Sequence, residues 1–198
     1  MKKYSIILWS IVFILFVSCS TSKTYAPSET STTPRAGFLV NQQIDIVFFD
    51  SRTKKAQSEE VKKSIVDHLR KTYPGARFQK LDNSEYFATP ESGKVTIKIN
   101  IAGYNAGFGV ESISGIGTIN GQPFVFSGVS DGQWNGLTGI AVMLYDYREG
   151  EERYNNEISD VESRPNVGGY ATARAALQTS FQNVMNKFTS FLDQSLMD

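Results

Sequence analysis

VTIKINI, the stretch from Val95 to Ile101, alternates strictly between branched apolar residues and polar residues. Successive side chains of a β-strand point to opposite faces of the sheet, so the pattern predicts a strand with one buried face and one polar face, which is either exposed to water or lies against something polar. It is the clearest strand signal in the chain. The buried face requires a hydrophobic layer to cover it, and the rest of the sequence has to supply that layer.

Two amphipathic segments can form the covering layer. Apolar residues recur every four positions over 58–73, and at steps of three and four from Tyr170 to Leu196, which predicts two helices. Further strands are predicted at 44–49, 76–81, 113–119, 124–129 and 137–147. This order predicts an α+β fold, a two-layer sandwich with a mainly antiparallel sheet and both helices packed on one face.

The connections between these elements are also predicted. Asn120-Gly121 suits the positive φ angles of a tight hairpin turn between two of the strands. A polar loop rich in Glu is expected from Glu149 to Asn166, and a charged loop of this kind is usually solvated rather than a binding site.

The chain starts with the features of a secretion signal. Lys2-Lys3 is followed by an apolar run of 12 residues from Ile6 to Val17. The run is too short for a membrane-spanning helix, which takes roughly 20 residues to cross a hydrocarbon core of about 30 Å. We therefore expect residues 1–18 to be a signal peptide that is removed.

Residues Phe16-Val17-Ser18-Cys19 resemble the lipobox of bacterial lipoprotein precursors, with Phe16 at a place where Leu is usual. The resemblance implies that Cys19 is lipidated and anchors the protein to a membrane. Cys19 is the only cysteine, so no intramolecular disulfide can form. Ser20 rather than Asp follows it, which in lipoprotein sorting implies the outer membrane, and we favour its periplasmic side.

The chain after the signal divides into a tether and a domain. Residues 19–41 are dominated by Ser, Thr, Pro and Ala, which predicts a flexible tether with a typical reach of roughly 25 Å. Residues 42–198 are long enough for a single periplasmic domain with its own core.

Charge and composition exclude several function classes. Removing two lysines with the signal leaves 18 basic and 20 acidic side chains, a balance without the basic field that nucleic acids require. With one histidine, and its only cysteine predicted to carry lipid, the chain offers no good zinc ligand set. We expect no metal, no cofactor and no nucleic-acid partner, and the sequence indicates no oligomeric state.

Two short motifs resemble a catalytic site and a phosphate-binding loop. Gly128 to Gly132 matches G-x-S-x-G around Ser130, yet the only histidine, His68, precedes the serine and no helix pattern follows it, so we interpret the motif as a turn. The glycine-rich stretch 115–121 leads into a hairpin instead of a helix N-terminus, which does not suit phosphate binding. His68 is expected at the surface or boundary of its helix. The sequence thus predicts a protein that is not an enzyme.

An aromatic, glycine-rich region offers the best candidate for a binding site. Trp134 lies between Gly132 and Gly136 and is expected on a loop, where interface and core interpretations are equally supported. Tyr104 and Phe108 are the other candidate contacts with a partner or ligand, although the core interpretation is favoured for the phenylalanine.

The lipobox, the tether and the order of strands and helices together resemble small envelope lipoproteins of the YajG-like and lipopolysaccharide-assembly or transport-auxiliary families. The resemblance covers most of residues 42–198 by element order and hydrophobic pattern, and no catalytic motif contributes to it. It implies a non-enzymatic accessory or binding module in envelope assembly or transport, with an envelope protein as partner. An alternative is a lipoprotein that binds a small ligand, lipid or glycan in a cleft between sheet and helices.

Overall fold

The computed structural model describes residues 22–109, 113–119, 122–128 and 132–197. The predicted signal peptide, Cys19, the predicted turn at Asn120-Gly121 and Ser130 lie outside the described residues. The elements in chain order are β1 (Ser22–Lys23), β2 (Gln43–Asp50), α1 (Ser58–Thr72), β3 (Arg77–Lys80), a 3-10 helix η1 (Asn83–Phe87), β4 (Val95–Phe108), β5 (Ile113–Ile119), β6 (Gln122–Gly128), β7 (Gln133–Asp146), β8 (Glu152–Pro165) and α2 (Tyr170–Met197).

The main sheet has the strand order β3-β2-β4-β7-β8. The strands β4, β7 and β8 are antiparallel to one another, whereas β2 runs parallel to both β3 and β4. The short strand β1 pairs antiparallel with the end of β4, where Ser22 lies opposite Gly107. The strands β5 and β6 form a separate hairpin that contacts β4 and β7.

Both helices lie on one face of this sheet, which confirms the predicted α+β sandwich. The apolar residues of VTIKINI are fully buried against the helices. Burial of each such side chain contributes about 1.5–3 kcal/mol to folding. The helices contribute the apolar stripes predicted from their spacing, namely Val61, Ile65 and Leu69 of α1 and Leu177, Phe181, Val184, Phe188 and Leu192 of α2.

A β-bulge changes which residues of β4 face the helices. The pairing register with β7 shifts between Ile101 and Gly103. Before the bulge the odd-numbered residues point to the helices, and after it the even-numbered Tyr104 and Ala106 do, because a bulge inserts one extra residue into the strand. The bulge therefore keeps all residues of the 14-residue strand buried except Asn105 and Phe108, which are half-buried.

The helix α2 comes unusually close to the sheet at Gly136 of β7. A Cβ atom at this position would overlap the backbone of Ala176 and Leu177 in α2. The opposite residue on β4 is Ala106, and Ala173 of α2 is also fully buried. Small side chains thus allow helix and strand to pack backbone to backbone.

The second face of β4 is covered rather than exposed to water, so the first of the two alternatives predicted for VTIKINI is wrong. Thr96, Lys98 and Asn100 are buried almost as completely as their apolar neighbours. Part of the cover is η1, whose backbone accepts hydrogen bonds from Lys98. Alternation alone cannot reveal such a cover, because it comes from elsewhere in the chain.

The polar loop predicted over 149–166 is largely the edge strand β8, so the loop prediction is wrong. The strand pairs with β7 over 14 residues, from Glu152 opposite Asp146 to Pro165 opposite Gln133. Its charged and amide side chains hide the strand signal. Such residues are common on edge strands, where charge discourages pairing with another chain.

Residues 24–35, here called the strap, run between α1 and α2 and differ from the flexible tether that composition predicts. Thr30 shares a 2.9 Å hydrogen bond with His68 of α1. The backbone N–H of Ser31 donates to Gln182 of α2 at 2.7 Å, and Arg35 pairs with Asp193 at 2.6 Å. The polar residues of the strap are matched by polar partners on both helices.

No helix in the described part of the chain is long and apolar enough to cross a membrane.

Candidate functional site

The structure places the three predicted contact residues inside the interface between sheet and helices. Trp134 lies in β7 and is only 4% exposed, so its predicted loop position is wrong. Its indole N–H donates to Asn166 at 3.1 Å, and its ring packs against Phe108 and Tyr170. The flanking glycine at 136 is required by the approach of α2 rather than by a loop. A role for these residues in partner contact stays a prediction.

Tyr104 is also buried, with its ring edge against Phe181 at a centroid distance of 5.7 Å. Burial raises the pKa of Tyr104, and its hydroxyl has no hydrogen-bond partner in the described part of the chain. A cavity of about 410 Å³ touches Tyr104, but its other walls are β1 and residues 51–56 rather than Phe108 or Trp134. Within the described residues, no cavity shown is lined by all three of the predicted contact residues.

A different cavity, here called the aromatic site, lies on the sheet face opposite the helices. Its volume is about 340 Å³. Four aromatic rings and two cationic side chains line it, together with Met143 and residues 88–90: Tyr86, Phe87, Tyr145, Tyr147, Lys98 and Arg153. These residues come from η1, β4, the end of β7 with the residue after it, and β8.

The aromatic rings are held by packing beneath the site. Tyr86 stacks on Phe49 of β2 at 5.3 Å, and burial raises its pKa to about 12. Phe87 contacts both of these rings edge-on, yet is 77% exposed. Asp82 caps η1 by accepting a hydrogen bond from the backbone N–H of Ser84 at 2.9 Å. The most exposed ring thus projects from a fixed support.

The two cations have different surroundings. Lys98 donates to the carbonyls of Tyr86 and Ala88, and burial lowers its pKa. Arg153 lies at the surface, 5.9 Å from the ring centres of both Tyr145 and Tyr147. Lys98 therefore fixes the position of η1, whereas Arg153 lies at the surface in an exposed ion pair with Glu151 at 3.5 Å, which a bound anion could replace.

The Tyr147 hydroxyl is a further polar group at this site. It raises the pKa of the neighbouring Arg153 guanidinium. The hydroxyl oxygen is buried, and no hydrogen bond of normal geometry reaches it in the described part of the chain.

Sequence reasoning missed the aromatic site because its residues are far apart in the chain. Two local signals exist. Tyr86-Phe87 is an aromatic pair in an otherwise polar segment, and Tyr145 and Tyr147 are two residues apart, as for side chains on one face of a strand. Neither signal shows that the two pairs meet across β4 and β7.

His68 is buried in the seam between α1, α2 and the strap, so its predicted surface position is wrong. Its Nδ1 and Nε2 atoms are each 2.9 Å from a hydroxyl, of Thr30 and Thr189 respectively. Burial, with smaller contributions from Arg35 and Lys71, lowers the pKa of His68 to about 4. Both ring nitrogens are occupied by structural hydrogen bonds.

The titratable side chains of the described residues do not form a metal centre. No group of three or more His, Cys, Asp or Glu residues in that part of the chain is arranged to hold a metal ion. The buried carboxylate of Asp50 is bound by Arg52 at 2.7 Å and by Ser58. The absence of enzymatic activity stays a prediction.

Comparisons with known proteins show the fold and not the family. No protein-family model matches the sequence. No curated protein matches it significantly. The protein XCC0632 from Xanthomonas campestris, of the DUF330 family, is 11% identical, with 87% of this chain and 96% of that chain covered and a TM-score of 0.51. That likeness supports a shared fold.

Two more distant structures have lower scores. The hypothetical protein CT253 from Chlamydia trachomatis is 12% identical, with 78% and 98% coverage and a TM-score of 0.45. The rare lipoprotein B from Shewanella oneidensis is 6% identical, with 77% and 98% coverage and a TM-score of 0.37. Scores this low carry no conclusion about this chain.

Proposed function

We propose that this chain is a non-enzymatic accessory lipoprotein, anchored through Cys19 on the periplasmic side of the outer membrane, that binds an envelope protein through the aromatic site. The observation that carries the proposal is the exposed Phe87 ring beside Arg153. Protein interfaces are enriched in aromatic residues, Met and Arg, and the aromatic site combines all three. It lies next to the edge strand β8, which supplies Arg153.

The aromatic site is built before any partner binds. Lys98 and Asp82 hold η1 in place, and the stacked Phe49 and Tyr86 support Phe87 from below. Binding to a preformed surface avoids the entropy cost of ordering a loop. A few well-placed contacts can then give useful affinity.

Site-specific photo-crosslinking in living cells tests this surface. Replacing Phe87 with benzoylphenylalanine is expected to give one discrete adduct with an envelope protein, because this ring protrudes at the centre of the proposed contact. The same replacement at Val40, an exposed apolar residue that packs near Gly75, serves as the matched control and is expected to give none. Equal labelling at both positions, or none at Phe87, would contradict the proposal.

A second candidate function is the binding of an acidic glycan, favoured by the cavity volume and the surface cation. A volume of about 340 Å³ suits a small ligand, and tyrosine rings can stack on sugar faces while Arg153 pairs with a carboxylate.

An oligogalacturonate titration distinguishes this alternative from protein binding. Saturating ligand is expected to raise Tm by several degrees, because ligand that binds only the folded state stabilises it. Neutral maltooligosaccharide and the Arg153→Gln variant are the controls, and both should give little change. Equal shifts with acidic and neutral sugars, or no shift, would rule out this function.

A further inference from the structure

We propose that one end of the domain rests on an anionic phospholipid surface, so that the aromatic site faces away from the membrane. We call this the anchor end and define it by the exposed side chains of Lys23, Lys54, Lys55, Val167 and Tyr170. The proposal rests on the lipid anchor of the proposed function, but not on the identity of the partner.

The direction of β1 locates the anchor. Ser22 pairs with Gly107 and Lys23 with Ala106, antiparallel to β4, so the chain enters from the end of β4 marked by Phe108. Cys19 precedes Ser22 by three residues, and each residue spans at most about 3.6 Å. The lipid attachment point therefore lies within about 11 Å of Ser22. Because the strap is docked on the helices, its length does not separate the domain from the membrane.

The anchor end displays exposed apolar side chains. Val167 is 92% exposed and Tyr170 is 56% exposed, and the described part of the chain has only two other large apolar residues so exposed. Val167 follows the end of β8, and the Tyr170 ring packs 5.8 Å from Trp134, which pairs with Phe108. Both residues therefore lie at the end of the sheet where β1 begins.

Positive charge surrounds these apolar groups. The Lys23 ammonium lies 5.1 Å from the Tyr170 ring centre. Lys54 lines a cavity together with Ser22, which brings the loop between β2 and α1 beside β1, and Lys55 follows it. No ion pair to an acidic side chain is found for these three lysines within the described residues. Their charge is free to attract phosphate headgroups.

This combination fits the boundary between water and lipid. Tyrosine is enriched at that boundary, and lysine can bury its stem while its ammonium stays among the headgroups. The aromatic site lies towards the other end of the sheet. Lys98 precedes Phe108 by ten residues of β4, or about 30 Å at the rise of a strand. A domain resting on its anchor end would present the aromatic site to the periplasm.

Depth-dependent quenching on the full-length lipidated protein tests this orientation. Once Cys19 is acylated, an introduced cysteine is the only free thiol in the chain. Val167→Cys and, as the matched control at the opposite end, Glu91→Cys are labelled with bimane in vesicles of phosphatidylethanolamine and phosphatidylglycerol at 3:1. Spin-labelled lipid is expected to quench the label at 167 at least threefold more than the label at 91. Equal quenching, or stronger quenching at 91, would overturn the proposal.

A charge reversal tests the role of the lysines. Adding Lys54→Glu and Lys55→Glu to the Val167→Cys protein is expected to reduce quenching at least twofold, and vesicles without phosphatidylglycerol should abolish the difference. Unchanged quenching in the charged vesicles would overturn the lipid contact. Mass spectrometry of Cys19 distinguishes failure of the proposed lipid anchor from failure of the proposed orientation. A protein without acyl chains refutes the anchor itself, whereas an acylated protein without preferred orientation refutes only this inference.

Discussion

Replacing Gly136 with alanine is expected to lower the free energy of unfolding by about 3 kcal/mol or more. The added Cβ would overlap backbone atoms of Ala176 and Leu177, and backbone cannot rotate away as a flexible side chain can. Helix α2 would have to move off the sheet, and its displacement would loosen the packing of Leu177 and Phe181 in the core.

Urea unfolding followed by circular dichroism measures this loss. Gly150→Ala is the matched control, because nothing lies within 4 Å of a Cβ added there and the position is an exposed turn. The control should change stability by less than about 0.5 kcal/mol. Similar midpoints for the two variants would contradict the close approach of α2 to β7.

Acidification from pH 7 to pH 5 is expected to cost the folded protein about 2 kcal/mol through His68 alone. The pKa of His68 falls from 6.5 to about 4 in the folded state. The unfolded chain therefore binds a proton that the folded chain excludes, and stability is lost as the pH falls from 6.5 towards 4. The carboxyl groups whose pKa values are lowered, such as Asp50 and Asp146, titrate below this window.

Urea unfolding at pH 7 and pH 5 provides the test. His68→Gln should lose most of the difference between the two pH values, although its stability at pH 7 will also be lower because it alters the bonds to Thr30 and Thr189. His68 is the only histidine, so its proton resonance can also be titrated directly in the native protein. A midpoint near 6.5 would contradict the buried, neutral ring.

Local patterns predicted the helices and strands in which apolar residues recur with the period of a helix or of a strand. The stripe of α1 and the alternation of VTIKINI needed no information from the rest of the chain. Strand β8 has no such repeat, because β7 stabilises it by pairing while its own side chains are largely charged or amide. The parallel pairing of β2 with β4 was equally hidden, since it joins segments about fifty residues apart.

The candidate site was harder to predict than the helices and strands, because it is formed by contacts between residues far apart in the chain. Tryptophan is a residue type typical of interfaces. Trp134 is nevertheless buried, because α2 packs closely on its strand at Gly136. In the sequence, Phe87 and Arg153 are not distinguished from ordinary surface residues. They line one cavity only because η1 packs over β4. The Thr-rich strap was predicted to be a flexible tether, because the sequence does not show that its residues form hydrogen bonds with His68 and Gln182.

The strap also bears on the order of folding and lipid modification in the proposed lipoprotein. The backbone N–H of Ser31 donates to Gln182, 151 residues further along the chain, so the strap can dock on α2 only when nearly the whole chain is available. If the proposed lipoprotein is exported with its N-terminus first, the strap is not yet docked on α2 when the predicted signal is removed and Cys19 is acylated. We expect acylation of Cys19 to precede docking of the strap on α2. Docking of the strap would then bring the domain close to its lipid anchor.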